Sequence, residues 1–190
     1  MREQLAVAVT GAPGAGKTST AQELARSLGA ALLDLDTLTN PLLDLLVEAL
    51  GSNGNSGGYD DPDVPVAARL RTARYACLVG AAQDCLRTGT PVVLVAPFTA
   101  ERSDPTAWAA LAQQLAAAGG DPHLAWLRIG VDQLGERLRA RQAERDRAKL
   151  ADLGAYLASV DLAPPVVPHL AVDAARAPAE QARSLLERLP

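Results

Sequence analysis

The sequence predicts an α/β protein with three layers, in which a five-stranded parallel sheet has helices on both faces. Short apolar runs of strand length alternate with longer segments of helical pattern along the chain, and this alternation is typical of such sheets. Apolar residues make up 48% of the 190 residues and aromatic residues only 3%, so we expect a core of Leu, Val and Ala. The length suits one domain, residues 1–190.

The elements follow in order along the chain. The predicted strands are Leu5–Val9, Ala31–Leu35, Pro91–Ala96, His123–Ile129 and His169–Val172. The predicted helices are Ser19–Leu28, Pro41–Leu50, Val66–Leu86, Pro105–Ala118, Asp132–Arg147 with a second stretch to about Ser159, and Pro178–Leu189. Gly29 suits a helix end, Asn40-Pro41 a helix start, and Ser103 or Asp104 a helix cap. The segment at about 51–65 is rich in Gly, Asn, Ser and Asp, which predicts a mobile loop.

Composition disfavours several classes of partner. The net charge of −4 argues against a nucleic-acid surface and a polybasic membrane patch. No apolar run is long enough to span a bilayer, and the N-terminus has no signal-peptide pattern. Cys77 and Cys85 fall on one predicted helix, about 12 Å apart, which is too far for a disulfide. We therefore expect two free, buried thiols in a cytoplasmic protein.

The glycine-rich segment Gly11–Thr18 is the most informative motif. Its sequence, GAPGAGKT, fits the phosphate-loop (P-loop) pattern G-x-x-x-x-G-K-[ST] and stands between a predicted strand and a predicted helix. Glycines at 11, 14 and 16 allow the backbone to turn its N–H groups toward an anion, and the helix N-terminus adds its positive dipole end. The alternative is a glycine-rich turn with an exposed lysine, although the chain has only one other lysine, Lys149.

The motif predicts a P-loop NTPase fold that binds ATP and Mg²⁺. Lys17 is expected to reach the β- and γ-phosphates, and the Thr18 hydroxyl to ligate Mg²⁺. The residues predicted to bind the phosphates are Gly11, Gly14, Ala15, Gly16, Lys17, Thr18 and Ser19.

Two aspartates, Asp34 and Asp36, stand at the end of the second predicted strand. In an extended segment, residues at i and i+2 point the same way, so both carboxylates are expected to face the terminal phosphate. Asp34 is the candidate for Mg²⁺, and Asp36 is the candidate for accepting the proton of an attacking hydroxyl. The alternative is that both are polar residues at a strand end.

An arginine series occupies the helix after the fourth strand. Arg137, Arg141 and Arg145 recur at i, i+4 and i+8 and therefore share one helical face. Arginine stabilises the negative charge that phosphoryl transfer spreads over the γ-oxygens. The alternative is a solvated face with acidic partners.

With these motifs the sequence resembles the small P-loop kinases of the shikimate kinase, gluconate kinase and adenylate kinase type, including antibiotic phosphotransferases and AAA-type uncharacterised bacterial members. The resemblance implies the strand order 2-3-1-4-5 and a helical lid at about 137–155. The string Glu136-Arg137-Leu-Arg-Ala-Arg141 is similar to the lid helix of such kinases. By that match Arg137 would lie beside the adenine and Arg141 would contact phosphates, with Val172–Pro178 as the adenine-side loop.

The sequence departs from the named enzymes at two places. Ala96–Arg102 stands where shikimate kinase has a glycine triplet, and the lid has no proline-glycine-rich motifs like those of adenylate kinase. Neither substrate therefore carries over. Arg71 and Arg74, at i and i+3, are candidates for holding an acidic group of the acceptor, with solvated helix charge as the alternative. Aspartates at 60, 61 and 63 suit a cationic sugar or amine instead, so the acceptor stays open.

The sequence thus predicts an ATP-dependent phosphotransferase that moves the γ-phosphate of ATP to a hydroxyl of a small molecule such as a sugar, sugar acid or antibiotic. Lys17, Asp36 and Arg141 are its candidate catalytic residues. The alternatives are a nucleoside or nucleotide kinase and a non-catalytic ATP-binding regulatory module. No N-K-x-D or T-K-x-D string is present, which disfavours a GTPase. We expect a monomer or a homodimer that binds a small-molecule acceptor but neither nucleic acid nor membrane.

Overall fold

The computed structural model of the chain describes residues 3–49, 67–141 and 150–190. The loop predicted to be mobile, at about 51–65, lies outside these residues. So does the middle of the predicted lid, 142–149.

Five strands form one parallel sheet, as the sequence predicts. The strands are β1 (Gln4–Gly11), β2 (Ala31–Asp34), β3 (Val92–Val95), β4 (Gly120–Arg128) and β5 (Leu170–Asp173). Their order in the sheet is β2-β3-β1-β4-β5, and every neighbouring pair is parallel. The predicted order is confirmed. It places β1 at the centre, where the phosphate loop leaves the carboxyl edge of the sheet.

Eight helices connect and cover the strands in the described part of the chain. They are α1 (Lys17–Leu28), α2 (Leu35–Ala49), α3 (Ala67–Arg87), α4 (Thr99–Ser103), α5 (Pro105–Ala116), α6 (Val131–Arg141), α7 (Leu153–Ser159) and α8 (Pro178–Leu186). Gly29 ends α1 in the left-handed conformation, and the Asp104 carboxylate caps α5 by accepting the Thr106 N–H at 2.8 Å. None of the described helices is both long enough and apolar enough to cross a membrane.

The start of α2 differs from the prediction. The helix begins at Leu35, directly after β2, and Pro41 lies inside it. The Asp34 carboxylate accepts the backbone N–H groups of Asp36 at 3.0 Å and Thr37 at 3.4 Å. These bonds satisfy amide donors that open the helix, so the helix forms before the Asn40-Pro41 signal. The sequence also gave no signal for α4, which has only five residues.

The two faces of the sheet bury different side chains. Alternate residues of β1, Val7 and Val9 on one side and Ala6 and Ala8 on the other, belong to separate apolar clusters. The first cluster includes residues of α1, α6 and α8, and the second includes residues of α3 and α5. The predicted burial of the cysteines is wrong. Both lie on α3 as free thiols, but Cys77 is exposed and Cys85 is only partly buried.

A buried arginine joins the β3–α5 connection to the segment that follows α7. Arg102 in α4 donates to the Asp161 carboxylate and, at 3.3 Å, to the Asp161 carbonyl. The Val166 N–H donates to the Arg102 carbonyl at 2.9 Å. The segment after α7 is therefore fixed against the same edge of the sheet that carries the phosphate loop.

The two side chains of this ion pair differ in exposure. We therefore expect the loss of stability to depend on which of the two is replaced. The Arg102 side chain is 7% exposed and that of Asp161 is 62% exposed. Asp161→Ala should lower the free energy of unfolding by about 1–3 kcal/mol because it leaves buried Arg102 N–H donors without the carboxylate that accepts from them. Arg102→Met should cost less, because water can hydrate the remaining carboxylate. Urea unfolding at pH 7 measures both, and a larger loss for Arg102→Met would contradict this account.

The pair should also respond to acid. Hydrogen bonds from the Ala163 N–H and from Arg102 hold the pKa of Asp161 below its usual value. The stabilisation is therefore present above the pKa of an unfolded aspartate and is lost as the pH falls through the lower folded-state pKa. The stability difference between the wild type and Asp161→Ala should shrink accordingly in acid.

Candidate active site

The phosphate loop has the backbone geometry of an anion-binding turn. Gly11, Gly14 and Gly16 have φ values of 149°, 92° and 96°, in the region that favours glycine. Gly16 precedes α1 and supplies no side-chain cap. The first amides of α1 are therefore directed toward the loop, where an anion can accept from them.

Helix α6 lies directly against this loop. A Cβ atom added to Gly14 would stand 3.1 Å from Cδ1 of Leu134 and 3.3 Å from Cδ2 of Leu138. Leu134 and Leu138 are fully buried. The loop and the helix that begins the predicted lid therefore form one packed unit.

Lys17 opens α1 with its amine folded back over the loop. Its Nζ donates to the carbonyls of Gly11 at 3.0 Å and Ala12 at 3.1 Å. A phosphate is a stronger partner for an ammonium group than a neutral carbonyl. The amine is thus held at the loop and can move to a phosphate there.

The structure brings Thr18 and Asp34 together as the sequence predicts. The Thr18 hydroxyl donates to Oδ2 of Asp34 at 2.8 Å, and Asp34 is 9% exposed. A hydroxyl and a carboxylate are the hard oxygen donors that Mg²⁺ prefers, so the pair fits the cation. No group of three or more His, Cys, Asp or Glu that could hold a metal is found within the described ranges. The remaining ligands would come from phosphates and water.

Asp36 does not lie in an extended segment, contrary to the prediction from the sequence. It lies in the first turn of α2, so the two carboxylates do not point the same way through strand geometry. Oδ1 of Asp36 instead accepts from Nη2 of Arg74 at 2.8 Å. The Asp36 side chain is 58% exposed, which leaves it accessible from the carboxyl edge of the sheet.

Arg74 is buried on α3 and donates hydrogen bonds to three side chains of α2. Its Nε donates to the Thr39 hydroxyl at 2.9 Å, and its Nη2 also donates to the Asn40 side-chain oxygen at 2.9 Å. Arg71 is exposed, so the structure separates the two arginines that the sequence grouped. The buried Arg74 donates to the Asp36 carboxylate of α2, whereas Arg71 faces solvent.

Arg137 connects the phosphate loop to the segment that follows β5, the strand at one edge of the sheet. Its guanidinium donates to the carbonyl of Ala15 at 2.8 Å and to that of Ala174 after β5. This position lies between the loop and the segment that the resemblance assigns to adenine. The Arg141 backbone ends α6, but its side chain and all of Arg145 lie outside the described residues.

The connection after β3, which departs from shikimate kinase in sequence, contributes groups for which no role was predicted. The Phe98 N–H donates to the Tyr75 hydroxyl at 3.0 Å, and the two rings meet edge to face at 5.8 Å. Phe98 has a φ of 44°, which strains a residue other than glycine. Burial raises the pKa of Glu101 in α4.

Tyr75, which contacts Phe98, follows Arg74 on α3. Burial raises the pKa of Tyr75, the negative charge of Glu101 raises it further, and Arg71 and Arg74 act in the opposite direction. Glu101 and the two arginines therefore lie close enough to Tyr75 to affect its hydroxyl. Pairwise spacing on one helix could not reveal this cluster, because it joins α3 to the β3–α5 connection.

Comparisons with known proteins agree with this architecture. The family model described as AAA domain matches residues 7–163, and the chain belongs to that family. No curated protein matches the sequence significantly.

Solved structures share the fold at low identity. A Chloroflexus aurantiacus protein provisionally described as a kinase is 22% identical over 99% of this chain and 97% of its own, with a TM-score of 0.68. A Sinorhizobium meliloti gluconokinase is 22% identical over 98% and 92%, with a TM-score of 0.61. An APS kinase of Mycobacterium tuberculosis, solved with AMPPNP and APS, is 20% identical over 98% of both chains, with a TM-score of 0.61. The chain therefore has the fold of small P-loop kinases, and the resemblance stated from its sequence is confirmed.

Gly14→Ala should damage the site through both backbone and packing. The substitution puts a side chain at a φ of 92° and against the two leucines of α6. We expect at least about tenfold weaker ATP binding, equivalent to ~1.4 kcal/mol, measured by isothermal titration with Mg²⁺.

Gly29→Ala is the matched control. Gly29 also has a positive φ, 62°, but nothing lies within 4 Å of an added Cβ. It should cost roughly 1 kcal/mol of stability and leave ATP affinity unchanged. Wild-type ATP affinity in Gly14→Ala would show that the loop does not work as described.

Proposed function

We propose that this protein is an ATP- and Mg²⁺-dependent kinase that transfers the γ-phosphate to a hydroxyl of a small molecule such as a sugar, sugar acid or antibiotic. The observation that supports this most directly is the 2.8 Å hydrogen bond from Thr18 to Asp34. It places the acidic end of β2 at the first turn of the phosphate-loop helix. Asp36, two residues further on, is accessible beside it.

The phosphate end of the site uses groups of opposite charge to its ligand. Backbone amides of the loop and the α1 N-terminus would hold the phosphates, and Lys17 would move from its carbonyl partners to the β- and γ-oxygens. Thr18 and Asp34 would hold Mg²⁺, which neutralises charge on the phosphates when bound. Arg141, together with Lys17, is proposed to stabilise the transferring group.

Asp36 is the proposed general base. Because Arg74 donates to Oδ1, Oδ2 is the oxygen that we assign to the acceptor hydroxyl. In the transfer, the acceptor oxygen bonds to the γ-phosphorus, the bond from that phosphorus to ADP breaks, and the hydroxyl proton passes to Asp36. The other bonds of Arg74, to Thr39 and Asn40, fix the guanidinium and therefore the carboxylate.

The acceptor side supports a polar substrate of modest size. Glu101, Arg71 and Arg74 present charges of both signs to Tyr75, and Arg74 also holds the Asp36 carboxylate. We take this mixture of charges to suit a polyhydroxylated molecule that makes several hydrogen bonds. Gluconokinase is among the proteins of similar fold, which supports a sugar or sugar acid. The APS kinase was solved with both AMPPNP and APS, which supports a site that holds a nucleotide and an acceptor at the same time.

The decisive substitution is Asp36→Asn. Wild-type protein is incubated with γ-labelled ATP, Mg²⁺ and a panel of sugars, sugar acids, aminoglycosides and nucleosides, and the labelled product identifies the acceptor. With that acceptor, Asp36→Asn should lower kcat at least ~100-fold, because general-base catalysis contributes roughly 10²–10⁴-fold. ATP affinity should change by no more than a few-fold.

Glu48→Gln is the control, since Glu48 is an exposed acid on the same helix, and its kcat should match the wild type. Full activity in Asp36→Asn would exclude the base assignment. If label is transferred to nucleosides and to no other member of the panel, the protein is a nucleoside kinase. ATP binding without transfer to any acceptor would identify a regulatory module.

A further inference from the structure

A single peptide group after β3 is held from both sides by side-chain hydroxyls. The Thr10 hydroxyl donates to the carbonyl of Pro97 at 2.6 Å, and the Phe98 N–H donates to the Tyr75 hydroxyl at 3.0 Å. The Pro97 carbonyl and the Phe98 N–H belong to one planar peptide unit. The two hydroxyls therefore fix the direction of that plane, and we name this arrangement the peptide clamp.

The clamp lies at the edge of the core. Thr10 and Phe98 are fully buried, and the ring of Tyr75 packs against that of Phe98. Loss of the Tyr75 hydroxyl would leave a buried N–H without a partner, which is costly. Pro97 is exposed, so water can hydrate its carbonyl once Thr10 no longer donates to it. Removal of the Thr10 hydroxyl should therefore free the peptide without unfolding the protein.

The clamp holds the backbone in a strained conformation. Phe98 has a φ of 44° and is the only residue other than glycine in the described part of the chain with a positive φ. Rotation of the Pro97–Phe98 plane by half a turn would make this angle negative, as residues with a side chain favour. The observed orientation thus has a conformational cost, which the two hydroxyl bonds offset.

The clamped peptide determines where α4 begins. Phe98 is the residue before this helix, and its carbonyl accepts the Arg102 N–H at 2.9 Å. Glu101 lies in the first turn of the helix, and its negative charge acts on Tyr75. The direction of the peptide therefore sets the position of Glu101 relative to Tyr75.

The two hydroxyls come from different parts of the site. Thr10 stands in β1 directly before Gly11, the first residue of the phosphate loop. Tyr75 follows Arg74, which holds the Asp36 carboxylate. The backbone of Thr10 thus leads into the phosphate loop, whereas its side chain bonds to the connection after β3.

We propose that Thr10 and Tyr75 are positioning residues that hold the Pro97–Phe98 peptide in its strained orientation and so place Glu101 to bind the phosphate acceptor. The inference rests on the proposed function for its ligand. It gives Thr10 a role that its place beside the phosphate-loop motif does not suggest, because the side chain serves the acceptor and not ATP.

The clamp itself is tested without any ligand, because Phe98 is the only phenylalanine of the chain. Protein labelled with ¹⁵N-phenylalanine gives one backbone amide signal in its NMR spectrum. The coupling constant between the amide and α protons of that residue depends on φ. It should indicate a positive φ in the wild type and move toward the value of an extended residue in Thr10→Val, Tyr75→Phe and, furthest, the double variant.

Three comparisons make this measurement specific. Thr10→Ser keeps a hydroxyl and should restore the wild-type coupling constant. Thr88→Val, the same chemical change at an exposed position after α3, should not alter it. A general loss of stability leaves the coupling constant of the folded state unchanged. A wild-type value in both Thr10→Val and the double variant would overturn the clamp.

The role in acceptor binding is measured by steady-state kinetics with the panel molecule that accepts label from ATP. Thr10→Val should raise the KM for that acceptor about tenfold, and leave kcat and the KM for ATP unchanged. Thr10→Ser should behave as the wild type. In a Glu101→Gln background, Thr10→Val should have little further effect, because the hydroxyl acts through Glu101.

The opposite results are distinct from one another. A raised KM for ATP, or a lowered kcat with both KM values unchanged, would show that Thr10 serves the phosphate loop and would overturn its role at the acceptor. If no panel molecule accepts label, the proposed function fails and the acceptor role fails with it. The clamp would then still be decided by the coupling constant of Phe98.

Discussion

The hydrogen bond between the Thr18 hydroxyl and the Asp34 carboxylate is the contact on which the site depends. It joins the first turn of α1, the helix that follows β1, to the end of β2, and β3 separates β1 from β2 in the sheet. The second oxygen of Asp34 caps α2 and so sets where Asp36 stands. One buried carboxylate thus positions the proposed metal ligands and the proposed base together, at the edge where parallel strands open a ligand crevice.

The rest of the fold places charged groups around that contact. Helix α6 packs on the phosphate loop through Leu134 and Leu138, and Arg137 of the same helix donates to the carbonyl of Ala174, directly after β5. Near the proposed acceptor site, the buried Arg74 holds the Asp36 carboxylate, and Arg102 fixes the segment after α7. The phosphate loop and the proposed acceptor site are therefore built from different helices.

The sequence predicted what is encoded locally. The phosphate loop has its geometry within eight residues, and alternating apolar runs define the strands, so the loop, the sheet and the proximity of Thr18 to Asp34 followed from pattern and resemblance. Contacts between distant residues could not be read in this way. Asp36 meets Arg74 and Thr20 meets Gln181 only because α2 packs on α3 and α1 on α8. The Asn40-Pro41 signal was overridden because Asp34 caps the helix earlier.

A crystal structure with Mg²⁺ and a non-hydrolysable ATP analogue tests the central claim most directly. The account predicts the triphosphate along the loop amides, Lys17 on the β- and γ-oxygens, and Mg²⁺ held by the Thr18 hydroxyl and the Asp34 carboxylate. The Asp36 carboxylate should lie beside the γ-phosphorus, with room for an acceptor oxygen about 3–3.5 Å from that phosphorus. A γ-phosphate directed away from Asp34 and Asp36, into solvent, would contradict it.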